Sequence, residues 1–236
     1  GARRLGLGTS LFERLARGGL RPTLLDTQFR MHPSLAAFPA THFYAGGLRN
    51  AYGHEDAGCR WPPAPGFPWP SGGAERSALV PVAGWEERSG HSFRNAAEAR
   101  ALVEAVRGLL AAAEGPLSVA AVAPYAAQRT LLQRSLAREL GGASAGAVAV
   151  STVDALQGAE RDLVLLSTTR SNPRGEVGFL ADTRRTNVAL TRARRGLIVF
   201  GDPRTLRADP TWASWLAWVE ASGGVLDPLQ HEARSR

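Results

Sequence analysis

Residues 162–168 read DLVLLST, and positions 163–166 are apolar without a break. A strand with one wet face alternates polar and apolar side chains. A short unbroken apolar run fits a strand buried on both faces, as in a parallel sheet covered on each side. The same kind of segment recurs along the chain. ALVPVAG (78–84), LSVAAVA (117–123), AVAVST (147–152) and GLIVFG (196–201) all read as strands. Helical patterns separate or follow them. NAAEARALVEAVRGLLAAA (95–113) opens with a capping-box-like Asn95 and Glu98. YAAQRTLLQRSLAREL (125–140) stops at Gly141–Gly142. DTRRTNVALTRAR (182–194) and PTWASWLAWVEASGG (210–224) complete the set. Strand and helix alternating over 78–224 predict an α/β fold: a doubly wound parallel sheet with helices on both faces.

Upstream, TSLFERLARGG (9–19) predicts a short helix capped by Thr9 or Ser10 and stopped by Gly18–Gly19. PTLLD (22–26) reads as a strand, and PSLAAFPATHFY (33–44) as a helix begun by Pro33. Residues 45–76 include WPPAPGFPWP. Proline removes backbone donors, so neither regular helix nor central strand is expected there. The segment predicts one long ordered loop pinned by Trp61, Phe67 and Trp69, with Cys59 an incidental small residue within it.

The chain of 236 residues is 44% hydrophobic and carries a net charge of +7. A basic balance suits a polyanionic partner such as nucleic acid. All 28 basic residues are arginine, and Ala, Gly and Pro are abundant beside them, which points to a biased source composition. Placement of arginines therefore carries more weight than their number. The single cysteine excludes an internal disulfide framework and a thiolate metal cluster, and a reducing compartment is the default. No apolar run is long enough to cross a bilayer, and no segment has the pattern of a signal peptide.

Ligands of doubly wound sheets collect at the carboxyl ends of strands. That directs attention to TQFRMHP (27–33), PYAAQ (124–128), TVDALQGAERD (152–162) and TRSN (169–172). Phe29 with Arg30 suits a nucleotide, a ring for the base and a fork for phosphate. The alternative places Phe29 in the core and pairs Arg30 with Asp26 or another acid. Ser151 and Thr152 suit nucleic-acid phosphate, or with Asp154 cap a helical turn. Gly158 would let the backbone come close to a partner. Arg192, Arg194 and Arg195 end the helix expected from 182. They either favour its negative dipole end or include one half-buried guanidinium aimed across a cleft at an anion. Without any lysine a GxxxxGK[ST] loop cannot be written, and HExxH, CxxC and GxSxG are absent too. The histidines show no metal-ligand spacing, and His32 reads as local structure beside Pro33.

Four segments taken together, 24–48, 122–129, 150–172 and 184–203, resemble the C-terminal motor half of superfamily 1 helicases of the up-frameshift type, which serve nonsense-mediated mRNA decay. The resemblance runs over nearly the whole chain and implies a second RecA-like domain over 1–236, with a Walker A/B domain before Gly1. It implies ATP as cofactor, Mg²⁺ held by that preceding domain, and single-stranded RNA as partner moved 5′ to 3′. DNA, or both nucleic acids, is the alternative substrate. A non-catalytic nucleic-acid-binding module is the alternative of another class, and the fragment alone is expected to be inactive. By resemblance Phe29, where the family commonly has Tyr, packs on adenine. Arg30 and Arg192 reach the γ-phosphate, Arg192 as the arginine finger, and Glu160 contacts the ribose. Pro124, Tyr125, Ser151 and Thr152 face nucleic acid. Arg170, with Gln157 and Gly158, couples the two ligands. Arg194 and Arg195 are support or surface. The resemblance also implies mRNA-decay factors as partners, no membrane, and a cytoplasmic or alternatively nuclear setting.

Overall fold

In the computed structural model, which describes residues 9–145 and 147–226, the run at 162–168 is the central strand of a five-stranded parallel sheet. The strands are β1 (Thr27–Gln28), β2 (Arg49–Asn50), β3 (Ser77–Pro81), β4 (Glu87–Ser89), β5 (Ser92–Arg94), β6 (Val119–Val122), β7 (Val148–Ser151), β8 (Arg161–Ser167) and β9 (Ala193–Gly201). The main sheet has the order β3-β9-β8-β6-β7. Every neighbouring pair in it is parallel. The α-helices are α1 (Leu11–Arg17), α2 (Pro33–Tyr44), α3 (His54–Arg60), α4 (Ala96–Ala111), α5 (Ala126–Ala145), α6 (Thr183–Leu190), α7 (Pro203–Leu206) and α8 (Pro210–Ala221).

Two apolar clusters sandwich the sheet, and the period of two along each strand sorts side chains between them. Leu79, Val122, Val164, Leu166, Leu197 and Val199 face one cluster, which α2, α6 and α8 cover with Leu35, Leu190 and Trp212. Val80, Ala121, Leu163, Leu165, Ile198 and Phe200 face the other, covered by α4 and α5 with Leu102 and Leu132. Positions 163–166 are wholly buried. Each such aliphatic side chain contributes about 1.5–3 kcal/mol relative to exposure. The expected doubly wound α/β architecture is therefore the one adopted. Trp61, Phe67 and Trp69 are buried and pin the 45–76 segment as expected. Trp69 donates its indole N–H to the Ala64 carbonyl at 2.7 Å, and its ring fills the space over Gly196 on β9.

Several expectations need correction. Residues 22–26 form no strand; Leu24 and Leu25 are exposed, and only Thr27–Gln28 pair with Arg49–Asn50. The 45–76 segment is not wholly irregular, because its proline-free part folds into α3. Cys59 thus lies on a helix by its backbone, and its side chain is outside the described ones. The helix from 126 does break at Gly141, which leaves helical geometry at a φ of 71°, but helical backbone resumes beyond it to Ala145. The β4–β5 hairpin was not anticipated. The helix expected over 182–194 ends at Leu190. The Thr191 hydroxyl donates to the Asn187 carbonyl at 2.7 Å, and from Ala193 the backbone pairs with β8. Arg194 and Arg195 therefore stand on β9 and not on α6.

Candidate nucleotide and nucleic-acid sites at opposite ends of the sheet

The candidate residues divide between two ends of the sheet. Phe29, Arg30, Glu160 and Arg192 gather where β8 and β9 begin, not at carboxyl ends. The turn after β1 is tied there because His32 N–H donates to the Arg194 carbonyl at 2.9 Å. His32 also caps α2, its Nδ1 accepting from Ser34 N–H; burial, then the nearby Arg76 charge, pushes its pKa down to about 4. It is neutral near pH 7 and serves local structure, as expected.

Arg30 pairs with Glu160, Nε to Oε2 at 2.8 Å, and donates to the Thr191 carbonyl at 3.1 Å. Asp26 is taken by Arg49 instead. Arg194 reaches the same Glu160 carboxylate at 3.5 Å and Asp162 at 3.0 Å. Phe29 is not core: it is 64% exposed, with Tyr52 edge-on at 6.3 Å. Phe29, Arg30, Arg60, Trp61, Glu160 and Arg194 line an open cavity of about 340 Å³. Three cations and one acid line it, so it offers charge to an anion. Among the described residues no group of three His, Cys, Asp or Glu side chains is placed to hold a metal ion.

Arg192 sits beside this cavity, half-buried. Its Nε donates to the Val188 carbonyl at 3.1 Å and its Nη2 to the Thr191 hydroxyl at 2.9 Å. Burial lowers its pKa first, and the Arg30 charge lowers it further. Among the described residues it joins no ion pair within 4.0 Å. A half-buried cation repelled by a neighbouring cation is an arrangement that an anion relieves.

The other end, where β6, β7 and β8 finish, holds a dense polar network. Arg170 is buried and grips Glu86 with both Nε (2.8 Å) and Nη2 (3.0 Å). Its guanidinium lies 4.4 Å over the Phe93 ring and donates to the Tyr125 hydroxyl at 3.1 Å. These contacts hold the Glu86 carboxyl below its ordinary range against the opposing effect of burial. Tyr125, expected to face nucleic acid, is buried and anchors Arg170, because its ring fills the space between Phe93 and Phe179. Ser151 Oγ is buried, with no partner among the described residues, so it is not presented to a strand. Thr152 Oγ1 accepts from Ala155 N–H at 3.3 Å, the capping alternative, and Pro124 is partly exposed. Gln157 and Gly158 are exposed. Gly158 has a φ of 82°, a backbone conformation that favours glycine, and no described atom lies within 4 Å of an added Cβ.

A family described as an AAA domain matches residues 7–204. The chain belongs to that family. This AAA domain is 39% identical over 216 residues to "Regulator of nonsense transcripts 1 homolog" of Drosophila melanogaster, covering 89% of this chain and 18% of that protein. It is 37% identical over 240 residues to "ATP-dependent helicase NAM7" of Saccharomyces cerevisiae, covering 95% and 24%. To "ATP-dependent helicase upf1" of Schizosaccharomyces pombe it is 37% identical over 238 residues, covering 95% and 25%. The chain thus spans about a fifth to a quarter of the length of these relatives.

Sequence reading missed several residues of this AAA domain. Arg60 stacks 4.9 Å over Tyr52 and 5.4 Å over Trp61, within a segment read as loop. Arg76 is buried near the same end, with Nε and Nη1 unpartnered among the described residues. Glu86 precedes a hairpin that carried no signal. Glu98 was read as half of a capping box. Asn95 does cap α4, accepting from Ala97 and Glu98 N–H at 3.1 Å each. The Glu98 carboxylate, however, turns into the protein. It accepts from the Ser167 hydroxyl at 2.6 Å and from Thr169 N–H at 2.7 Å. Burial pushes its pKa up to about 8.

Proposed function

We propose that this AAA domain is the second motor half of an ATP-dependent helicase that moves 5′ to 3′ on single-stranded RNA. The observation that carries the reading is Arg192: half-buried, free of any carboxylate partner among the described residues, and next to Arg30 beside an aromatic-lined cationic cavity. The family and the names of the relatives support it. Phe29 would pack on adenine by its exposed face, and Glu160 would reach the ribose. Arg30 and Arg192 would hold positive charge where negative charge grows during phosphoryl transfer, Arg192 as the finger. A preplaced guanidinium acts there without reorganising solvent. The cavity suits the triphosphate and not its Mg²⁺, since its one acid, Glu160, is shared by two arginines. The metal ligands and the phosphate-cradling lysine would come from a Walker A/B domain preceding this one.

Pro124 and Thr152 would meet the strand at the opposite end, and Arg170 would link the ends through β8, which starts next to Glu160. Gln157 and Gly158, just before β8, would act through the same connection. The resemblance further suggests mRNA-decay factors as partners and a cytoplasmic setting.

The test is RNA-stimulated ATP turnover by the full-length protein with Arg192→Ala. Turnover should fall by roughly 10³-fold or more while RNA binding persists. Arg192→Lys should recover little, since an ammonium lacks the planar fork. Unchanged turnover in Arg192→Ala would remove the finger from this residue. Competition between RNA and DNA strands of one sequence decides the substrate.

A further inference from the structure

Phe179 is 53% exposed, yet nothing about it is loose. It sits in a 3₁₀ turn, Gly178–Ala181, at the carboxyl end of the sheet. Its own N–H donates to the Tyr125 hydroxyl at 3.2 Å. Gly178, with a φ of 58°, packs so closely on Tyr125 and Arg170 that a Cβ would collide with both. Leu180 is buried, and its carbonyl accepts from the Trp212 indole at 3.1 Å and the Thr186 hydroxyl at 3.0 Å. The turn is thus fixed on both sides of a residue whose ring stands half in water.

One side of that ring is supported. Tyr125 lies 5.2 Å away at an interplanar angle of 52°, and the Arg185 guanidinium lies 5.6 Å from the ring centre. Pro124 and Arg185 border the same shallow pit as Phe179. Arg174 and Arg184, five residues to either side along the chain, have side chains 77% and 78% exposed. Each of the three arginines has an acid beside it, Arg185 with Asp154 at 2.9 Å, Arg174 with Glu176 at 3.1 Å and Arg184 with Glu13 at 3.5 Å, but these are exposed pairs that water screens and that a phosphate can displace. A rigid, half-exposed aromatic ring flanked by cations is the combination that single-strand binders use, stacking for the base and charge for the backbone. The apolar cost of leaving a phenylalanine ring in water is removed when a base covers it.

We propose that Phe179 is a base-stacking platform for one nucleobase of a single strand crossing the carboxyl end of the sheet. This rests on the proposed nucleic-acid function and adds to it a contact made through the base. The buried Tyr125 does not stack on bases; it supports the ring that does. Because every base has a π-face, the contact tolerates sequence.

The test is fluorescence anisotropy of the full-length protein with labelled single-stranded oligoadenylate and with an abasic ribose-phosphate strand of equal length. Phe179→Ala should weaken oligoadenylate binding by about five- to 100-fold. It should leave abasic binding unchanged. Phe179→Trp should bind as tightly as the parent. Phe179→Leu, which keeps apolar bulk against Tyr125 without a flat ring, should lose affinity as Phe179→Ala does. If the parent binds oligoadenylate and Phe179→Ala binds it equally, the platform is refuted and the helicase reading stands. A loss in Phe179→Ala that Phe179→Leu restores would also refute stacking. If the parent binds neither strand, the nucleic-acid reading itself fails, and the platform with it.

Discussion

At the scale of single residues, charge burial sets the chemistry. Glu98 lies wholly inside, and burial outweighs the donors from Ser167, Thr168 and Thr169 that favour its ionised form. Its carboxyl has an ordinary value of 4.5 and stands at about 8 in the fold. Between those values the folded chain holds a proton that the unfolded chain has released. Its contribution is therefore fully present below pH 4.5 and is lost as pH rises towards about 8. Glu98→Gln, neutral at all pH, should remove that decline. Urea midpoints at pH 5, 6.5, 8 and 9 check it, and parallel curves for parent and variant would dismiss the role of Glu98. The contrast with Arg170 is instructive. That cation is also buried, but the bidentate Glu86 carboxylate compensates it, and its pKa rises. Among the described residues Arg192 has no such partner, so a bound anion would relieve its burial.

Elements hold these side chains through turns that tolerate little change. The Gly178 turn locks Tyr125 and Arg170 together, whereas the Gly158 turn faces open space at a similarly positive φ. Gly178→Ala should cost about 1–3 kcal/mol from backbone strain and the forced shift of two buried groups. Gly158→Ala meets only the strain and should cost about 1 kcal/mol. Chemical denaturation compares the two, and equal losses would show that the contacts around Gly178 yield freely. Nearby, Thr169 has a φ of 71°, unusual for a β-branched residue, and the Glu98 carboxylate holds its N–H. The exit from β8 is thus strained where it delivers Arg170.

The whole molecule depends on how the 45–76 segment docks. Trp69 lies over Gly196 and against Phe67 at 4.7 Å, so the segment covers the start of β9 and carries Arg60 and Trp61 to the cavity. Trp69→Ala should cost about 3–5 kcal/mol and open residues 45–76 to limited proteolysis. A loss below about 1 kcal/mol, with the segment still resistant, would show that other contacts seat it. The architecture was legible in the sequence because apolar periodicity reports burial, and runs such as 162–168 and 196–201 admit one kind of strand. The candidate residues Phe29, Arg30, Glu160 and Arg192 could be named from motifs of recognisable order, and the resemblance grouped them around one nucleotide. Their place in the fold could not be read. Only the tertiary structure put them at the starting ends of β8 and β9, ended α6 at Leu190, buried Tyr125, and brought Arg60 and Glu86 to the two ends of the sheet. Periodicity is a property of neighbouring residues and survives in the chain as written. The partner of a guanidinium can lie 130 positions away, as for Arg30 and Glu160, and is decided only when the sheet is assembled.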